Sequence, residues 1–505
     1  MAFDGVTKPK VCIIGAGGSG FTMAKRLKDY DIPYDCFEMS DNIGGNWYYK
    51  NPNGASSCYQ SLHIDTSKWR LAFEDYPVPE DWPDFPHHSQ LLQYFHDYVD
   101  HFGLRETITF NTAVTDVADL PGNRWKVTLS TGESREYDAV IVANGHHWDP
   151  RMPEYPGSFD GYQVHSHNYT DPFEPYDFRG KRAMIVGGGN SAMDISSELS
   201  QRPLTERLFI SMRRGVWVLP KYMDGQPADK AVLPGWLPSG IGRALARKKI
   251  KKTIGMMEDY GLPKPDHEPL DGHPSVSGEF LTRVGCGDIC PKPGIERLDG
   301  DGVVFTDGTR EKIDAIVWAT GYNVTFPFLK QDDLTPKENV FPLYKRMVKP
   351  GRETIFFLGL AQPLPTLVNF AEQQSKLVGA ALNGEYAFPS IQEMERITKE
   401  DEQQHLAEEP DQRHVALVGA RPDLVDPERG APAAEEQHDR HRAHQDHVGV
   451  LAEEEQREGQ CRSQGGNTNV VERGYRCLQL GYASADSDQP GLQRSVRKGV
   501  EREEK

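Results

Sequence analysis

The chain has 505 residues, enough for two or three domains. Its formal charge of −18 argues against nucleic acid or an anionic membrane as a partner, and no stretch approaches the roughly 20 apolar residues of a spanning helix. The opening MAFDGVTKPK lacks the apolar run of a signal peptide and the seven cysteines are scattered, so a cytoplasmic location is expected.

Val11 to Ile14 is a short apolar run of strand type, followed at once by Gly15-Ala16-Gly17-Gly18-Ser19-Gly20 and a helical stretch to Leu27. Strand, glycine turn and helix N-terminus in that order make a phosphate cradle. Glycine permits the tight turn and the close approach of a pyrophosphate, whose charge meets free N–H groups and the helix dipole. The next strand, Tyr34 to Phe37, ends in Glu38, which follows Gly15 by 23 residues. That is near the roughly 20 expected of a carboxylate that holds a ribose hydroxyl, as in FAD or NAD.

Gly44-Gly45-Asn46-Trp47 reads as a loop whose backbone lies against the cofactor. Pro86 to Phe102 carries Leu91, Leu92, Phe95, Val99 and Phe102 on one helical face. Thr107 to Phe110 and Trp125 to Leu129 are predicted strands, and Tyr137 to Ala143 a strand closing on Asn144-Gly145. Pro150, Pro153 and Pro156 mark a linker, since prolines at this density continue neither a helix nor a central strand.

A second unit opens with Arg182 to Val186, turns through Gly187-Gly188-Gly189-Asn190-Ser191-Ala192 and continues as a helix from Met193 to Leu199. Ala192 replaces the third glycine, which the fingerprint permits. The following strand, Leu208 to Met212, ends in Arg213-Arg214, where guanidinium groups suit a 2′-phosphate, so NADPH is the expected ligand. Arg243 to Lys252 reads as a solvated basic helix. Cys286 and Cys290 have three residues between them and form neither a CxxC redox pair nor a zinc site, so no metal is expected. Asp314 to Tyr322 is a buried strand closing on a glycine turn. Beyond about Glu409, Phe and Trp disappear and only Tyr475 and Tyr482 remain of the aromatics, a composition read as disordered or as a changed reading frame. His438, His441, His444 and His447 in that tail read as low-complexity chance rather than a metal site.

Two dinucleotide sites in one chain imply a flavoprotein reduced by a nicotinamide. Phe159, Gly161, His165 and Tyr169 fit the pattern FxGxxxHxxx(Y/F), and over residues 10 to 405 the chain resembles the flavin-containing monooxygenase family, as a bacterial-type soluble member of the class B flavoprotein monooxygenases. The resemblance implies an α/β fold with two Rossmann-like dinucleotide-binding domains, the FAD domain discontinuous and the NADPH domain inserted. Residues 1–165 would form the first FAD part, 166–321 the NADPH domain with a substrate and access insert at about 215–285, 322–409 the second FAD part, and 410–505 the tail.

It further implies FAD contacts from Gly15, Ala16, Gly17, Gly18, Ser19, Gly20, Glu38, Asn46, Trp47, Asp65, Thr66, Thr320 and Gln373. NADPH contacts would come from Gly187, Gly189, Asn190, Ser191, Ala192, Asp194, Arg213 and Arg214. Hydride from NADPH would reduce the flavin, and its C4a-(hydro)peroxy adduct with O2 would oxygenate a nitrogen or sulfur of a small molecule. Family members usually carry Asn where this chain has Asp65, beside the reactive flavin edge. A carboxylate accepts where an amide donates, so Asp65 is either held protonated by burial or tunes the oxygen chemistry differently, and it is the only candidate tuning residue.

Ala319-Thr320-Gly321 resembles the motif that returns the chain to the flavin half. Phe356 to Pro363 and the helix start at Glu372 to Ser375 resemble the last flavin-contacting strand and helix, while the short closing helix of the family is expected to be missing. Tyr169-Thr170, in place of Trp followed by Pro or Asp, points away from the Baeyer–Villiger branch. Three alternatives stay open: Baeyer–Villiger oxidation of ketones, an uncoupled NADPH oxidase, and a non-catalytic nucleotide-binding protein. Dioxygen and a small nucleophile are the expected partners, and a homodimer is compatible with this reading.

Overall fold

The computed structural model describes residues 3, 7–230, 239–272, 274–361 and 366–408. The tail beyond these, with its four spaced histidines, and Gln362-Pro363 lie outside the described residues. In chain order the principal elements are β1 (Val11–Ile14), α1 (Gly18–Asp29), β2 (Tyr34–Phe37), α2 (His88–His101), β3 (Ile108–Thr109), β4 (Ala139–Val142), β5 (Tyr162–His165) and β6 (Arg182–Val186). They continue as α3 (Asn190–Leu199), β7 (Arg207–Ser211), α4 (Ser239–Ile254), β8 (Ile289–Lys292), β9 (Ala315–Trp318), β10 (Ile355–Phe357), α5 (Leu367–Leu382) and α6 (Ile391–Glu408).

Strands that are apolar at every position need cover on both faces, and parallel sheets supply it. Two five-stranded parallel sheets form, in the orders β10-β4-β1-β2-β3 and β8-β7-β6-β9-β5. Alternate residues of β1 divide between two cores, Val11 and Ile13 on one face and Cys12 and Ile14 on the other. β6 does the same, with Ala183 and Ile185 opposite Met184 and Val186. Each such fully buried Val, Ile or Met contributes roughly 1.5–3 kcal/mol, which fixes these strands at the sheet centres.

Both units follow one plan. A glycine turn and a helix join the first two strands, and a three-stranded antiparallel meander precedes the fourth: Val114–Leu120, Arg124–Leu129 and Ser134–Tyr137 in the first unit, Ile295–Asp299, Gly302–Phe305 and Arg310–Lys312 in the second. The fifth strands break the parallel. β5 precedes the second unit in sequence, while β10 reaches the first sheet only after the second is complete. The second unit is therefore an insertion within the first, an α/β architecture of two Rossmann-like halves.

Several expectations change. Tyr137 to Ala143 is not one strand: Ser134–Tyr137 ends the meander and β4 enters the parallel sheet. The chain changes sheet at Asp138, whose carboxylate accepts from Lys10 N at 2.9 Å and Arg124 Nε at 3.0 Å. The α5 helix begins at Leu367, capped by Thr366 Oγ1, so Glu372 to Ser375 lie in its second and third turns rather than at its start. The stretch past about Glu409, where the family's closing helix is expected to be missing, lies outside the described residues; before it α6 packs on the first core, with Met394 fully buried, Thr398 buried and Asp401 paired with Arg346 at 2.7 Å. Finally, the proline linker is paired: Asp149–Pro150 runs antiparallel to Tyr322–Asn323, so the two crossings between the units are hydrogen-bonded to each other.

Candidate active site

The first cradle is lined by backbone. Gly15 has φ +99°, and a Cβ there would lie 2.6 Å from the carbonyl oxygen of Ala143 at the end of β4. Gly45, in the turn Gly45–Trp47, approaches so closely that a Cβ would sit 3.3 Å from Gly17 Cα. The first turn of α1, with Gly18, Ser19 and Gly20, carries neither a side-chain cap nor an acidic residue, and while Gly20 N donates to Gly17 O at 2.9 Å, the N–H groups of Gly18 and Ser19 are left to an anion. Glu38 is buried, and its Oε2 and Oε1 accept from Ala16 N at 2.7 Å and Ser40 N at 2.8 Å. Burial pushes its carboxyl up while these amides oppose the shift, and each oxygen keeps a lone pair for a hydroxyl. Asn46 acts from behind: its Oδ1 accepts from Ser57 N at 2.9 Å and Ser57 Oγ at 2.7 Å. Trp47 packs against the edge of the first core.

Beyond this cradle lie buried polar atoms without a hydrogen-bond partner: Asn144 Oδ1, His146 Nδ1, Trp148 Nε1 and Gln373 Oε1. Neighbouring Gln374 is instead satisfied, accepting from Gly359 N at 2.9 Å and donating to Arg346 O at 3.3 Å. Each unpaired buried polar atom costs about 1–3 kcal/mol unless a ligand meets it. A glycine-lined cradle leading to unpaired donors and acceptors fits a dinucleotide with a polar ring system, such as FAD.

The second cradle repeats the first. Gly187 has φ +141°, and a Cβ there would lie 2.2 Å from Ala319 O, just beyond β9. Gly187 N donates to Ser211 O at 3.0 Å as Gly15 N donates to Phe37 O at 2.8 Å. Ala319-Thr320-Gly321 is thus the counterpart of Ala143-Asn144-Gly145, with Ala319 against the second loop, and Thr320, expected at the flavin, donates its hydroxyl to Arg151 O at 2.7 Å. Gly189 has open space above it, and Asn190 Oδ1 accepts from Val276 N at 2.9 Å, which holds the insert over the loop. Ala192 is fully buried in the second core. The two arginines differ: Arg214 is engaged by Asp266 through bonds of 2.6 and 2.9 Å, whereas Arg213 is exposed and makes no ion pair among the described residues.

Between the cradles the halves are clasped. Gly161 leaves room for the ring of Phe159, where a Cβ would approach to 2.5 Å. His165 Nδ1 accepts from His167 N at 3.0 Å while its buried Nε2 has no partner, and Tyr169 donates to Glu198 Oε2 on α3 at 2.7 Å. Tyr59, from the first unit, is buried in the second core and donates to Asp194 Oδ2 at 2.7 Å. Asp194 therefore faces Tyr59, and the Ser191 hydroxyl meets the same tyrosine oxygen. Asp65 is half-buried, its Oδ1 lies 3.9 Å from Lys221 Nζ and has no hydrogen-bond partner. Burial and the nearby Asp194 charge push its carboxyl up to about 8 against the pull of Lys221, so the protonated form is favoured at neutral pH. Thr66 is half-buried beside it, followed by Ser67, whose N–H donates to Asp229 Oδ2 of the insert at 2.6 Å. Sequence reasoning missed Tyr59, Asn144, His146 and Lys221. Only Asn144 and His146 had a signal, as polar residues at a strand-ending glycine turn.

Among the described residues no group of three or more His, Cys, Asp or Glu is placed to hold a metal ion, and no helix is long and apolar enough to cross a membrane. A family profile described as Flavin-binding monooxygenase-like matches residues 8–416. The chain is 34% identical over 457 residues to flavin-containing monooxygenase 5 of Rattus norvegicus, covering 83% of this chain and 84% of the relative. It is 36% identical over 409 residues to dimethylaniline monooxygenase [N-oxide-forming] 2 of Pan troglodytes, covering 76% and 75%. Among solved structures, S-allyl-L-cysteine S-oxygenase from Allium sativum superposes with TM-score 0.61 at 26% identity, covering 82% of this chain and 85% of that one. The chain belongs to the flavin-binding monooxygenase-like family, and is an FAD- and NADPH-dependent monooxygenase that takes dioxygen as co-substrate.

Proposed function

We propose that this enzyme oxygenates a nucleophilic nitrogen or sulfur of a small molecule, with FAD in the first cradle and NADPH in the second. The observation that carries the assignment is the repeated cradle, with Gly15 against Ala143 and Gly187 against Ala319, joined by the bond from Tyr59 to Asp194. The N-oxide-forming and S-oxygenase names of relatives support the substrate class. Bound FAD supplies the redox chemistry that takes hydride from NADPH and activates dioxygen. The chain's own residues bind, orient and shield. Glu38 accepts from the ribose, the Gly15 to Gly20 turn meets the pyrophosphate, and Asn46 holds the Gly44-Gly45 turn in place. Arg213, with Arg214 behind it on Asp266, selects the 2′-phosphate. Tyr59 holds α3 and its glycine loop against the first unit, while Tyr169 braces α3 from within the second, which limits water at the junction.

The FAD part would occupy residues 1–161 and 322–409, and the NADPH part 162–321, because β5 hydrogen-bonds in the second sheet. The insert at about 215–285 would shape substrate access, as its Asp229 and Lys221 already touch residues 64–70. A second reading, release of hydrogen peroxide as an NADPH oxidase, draws on the buried carboxyl of Asp65. The test is purified protein, scored for retained FAD, then for NADPH oxidation with a sulfide, a tertiary amine and a ketone. Sulfoxide or N-oxide formed in near-stoichiometric ratio to NADPH supports the reading. Lactone or ester from the ketone with no N- or S-oxide overturns the substrate class, and peroxide as the sole product favours the oxidase. Gel filtration with light scattering tests whether the enzyme is a homodimer.

A further inference from the structure

The insert is hydrogen-bonded to both units. On the second unit, Ser275 Oγ donates to Gly188 O at 2.6 Å and Val276 N donates to Asn190 Oδ1 at 2.9 Å, so the insert is fixed to the glycine loop itself. Ser275–Val276 runs parallel to Val218–Leu219, with Ser275 N donating to Trp217 O at 3.0 Å and Ser277 N to Leu219 O at 2.9 Å. After Pro220 and Lys221 the chain forms a hairpin, Tyr222–Met223 against Gln226–Pro227, closed by Ala228 N donating to Lys221 O at 2.9 Å. This hairpin and the turn after it lie on residues 64–70 of the first unit. Lys221 Nζ donates to Ile64 O at 3.1 Å, Asp229 Oδ2 accepts from Ser67 N at 2.6 Å, and Asp229 O accepts from Arg70 Nε at 3.0 Å. Ser67 is fully buried, and Lys230 Nζ stands 3.9 Å from the centre of the Trp69 ring. A hydrogen-bonded path thus runs from Gly188 and Asn190 to the turn that carries Asp65 and Thr66.

We propose that Asp229 is a positioning residue of the oxygenation reaction, through which the insert sets the Asp65 turn only while nucleotide holds the second glycine loop. This rests on the functional reading above, in which the second cradle takes NADPH and Asp65 lies on the flavin side. A pyrophosphate on the loop fixes the carbonyl of Gly188 and the side chain of Asn190, and with them Ser275, Val276 and the strand beside them. Ordering one end of such a path lowers the entropy lost on ordering the other, so the Asp229 contact with Ser67 tightens when nucleotide binds. The coupling is reciprocal: freeing the Asp65 turn weakens the hold on nucleotide by the same factor.

The test is hydrogen exchange, read by mass spectrometry over residues 64–70 and 187–192, of the full-length FAD-loaded protein with and without saturating NADP+, in the absence of turnover. Wild type, D229A, D229N and S275A are compared. In the wild type NADP+ should slow exchange at 64–70 about tenfold. D229A and S275A should lose that response, and D229N, whose amide oxygen can still accept from Ser67 N, should keep part of it. D229A should also bind NADP+ several times more weakly and release a larger fraction of NADPH equivalents as peroxide. A brace without coupling would speed exchange in D229A yet leave the response to NADP+ intact, and that result overturns the proposal. Should D229A not fold, S275A decides, since it lies at the other end of the path: a full wild-type response at 64–70 overturns the coupling. Protection by NADP+ at 187–192 with none at 64–70 in the wild type overturns the coupling alone. Absence of protection at both overturns the functional reading and the coupling with it.

Discussion

Arg213 and Arg214 are adjacent in sequence, yet one is bound by Asp266 and the other stands exposed beyond β7. A charged hydrogen bond contributes about 1.5–3 kcal/mol, so Arg213→Ala should raise the KM for NADPH about ten- to hundredfold and leave that for NADH nearly unchanged. Arg214→Ala should change the ratio of the two constants less. Steady-state kinetics with both nucleotides decide the matter. The glycines separate the cofactors in the same way. A methyl group at Gly15 meets Ala143 O and one at Gly187 meets Ala319 O, both carbonyls of neighbouring strands that cannot retreat. Gly15→Ala should lose flavin on desalting. Gly187→Ala should keep the yellow colour and lose saturation by NADPH.

At the scale of elements, α6 shows how a helix can be hidden from composition. Its sequence, IQEMERITKEDEQQHLAE, is mostly polar, and among its described side chains only Met394 is fully buried. One deeply seated side chain, with Thr398 and the Asp401 to Arg346 pair, suffices to lay the helix on the first core. Met394→Ala removes that anchor and should cost about 2–5 kcal/mol. Thermal unfolding should show a lower midpoint, with flavin lost in the same transition. The strand that splits at Asp138 makes the complementary point. Tyr137 and Ala139 to Val142 are a continuous apolar reading broken by one residue, and the corner is made by Lys10 and Arg124, distant in sequence or in another strand.

For the whole molecule, the junction carries histidines as well as carboxyl groups. His146 and His147 follow β4, and burial pushes His147 down to about 4, with His167 adding to the effect, and pushes His146 well below the ordinary imidazole range. An unfolded imidazole titrates near 6.5. As pH falls from about 6.5 to 4 the unfolded chain takes up protons that the native chain refuses, so stability is lost with acid at up to about 1.4 kcal/mol per pH unit for each such histidine. His147→Gln should flatten this fall, measured as the denaturant midpoint between pH 4 and 7.

The sequence by itself determined the two units and their nature. Continuous apolar runs at Val11, Ala139, Arg182 and Ala315 demand burial on both faces, and the glycine turns after Ile14 and Val186 have no other economical use than a close backbone approach. Glu38 and Arg213 are the residues proposed to select the two ligands, because charge type at a strand end follows directly from the residue. Only the folded chain shows that Ala319 closes on the second loop, that Arg214 is already paired, and that Tyr59 reaches Asp194 while Lys221 reaches Asp65. Those last four residues are separated by up to 162 positions, and nothing local in a sequence records a hydrogen bond or an ion pair between segments that become neighbours only when both sheets are built and docked.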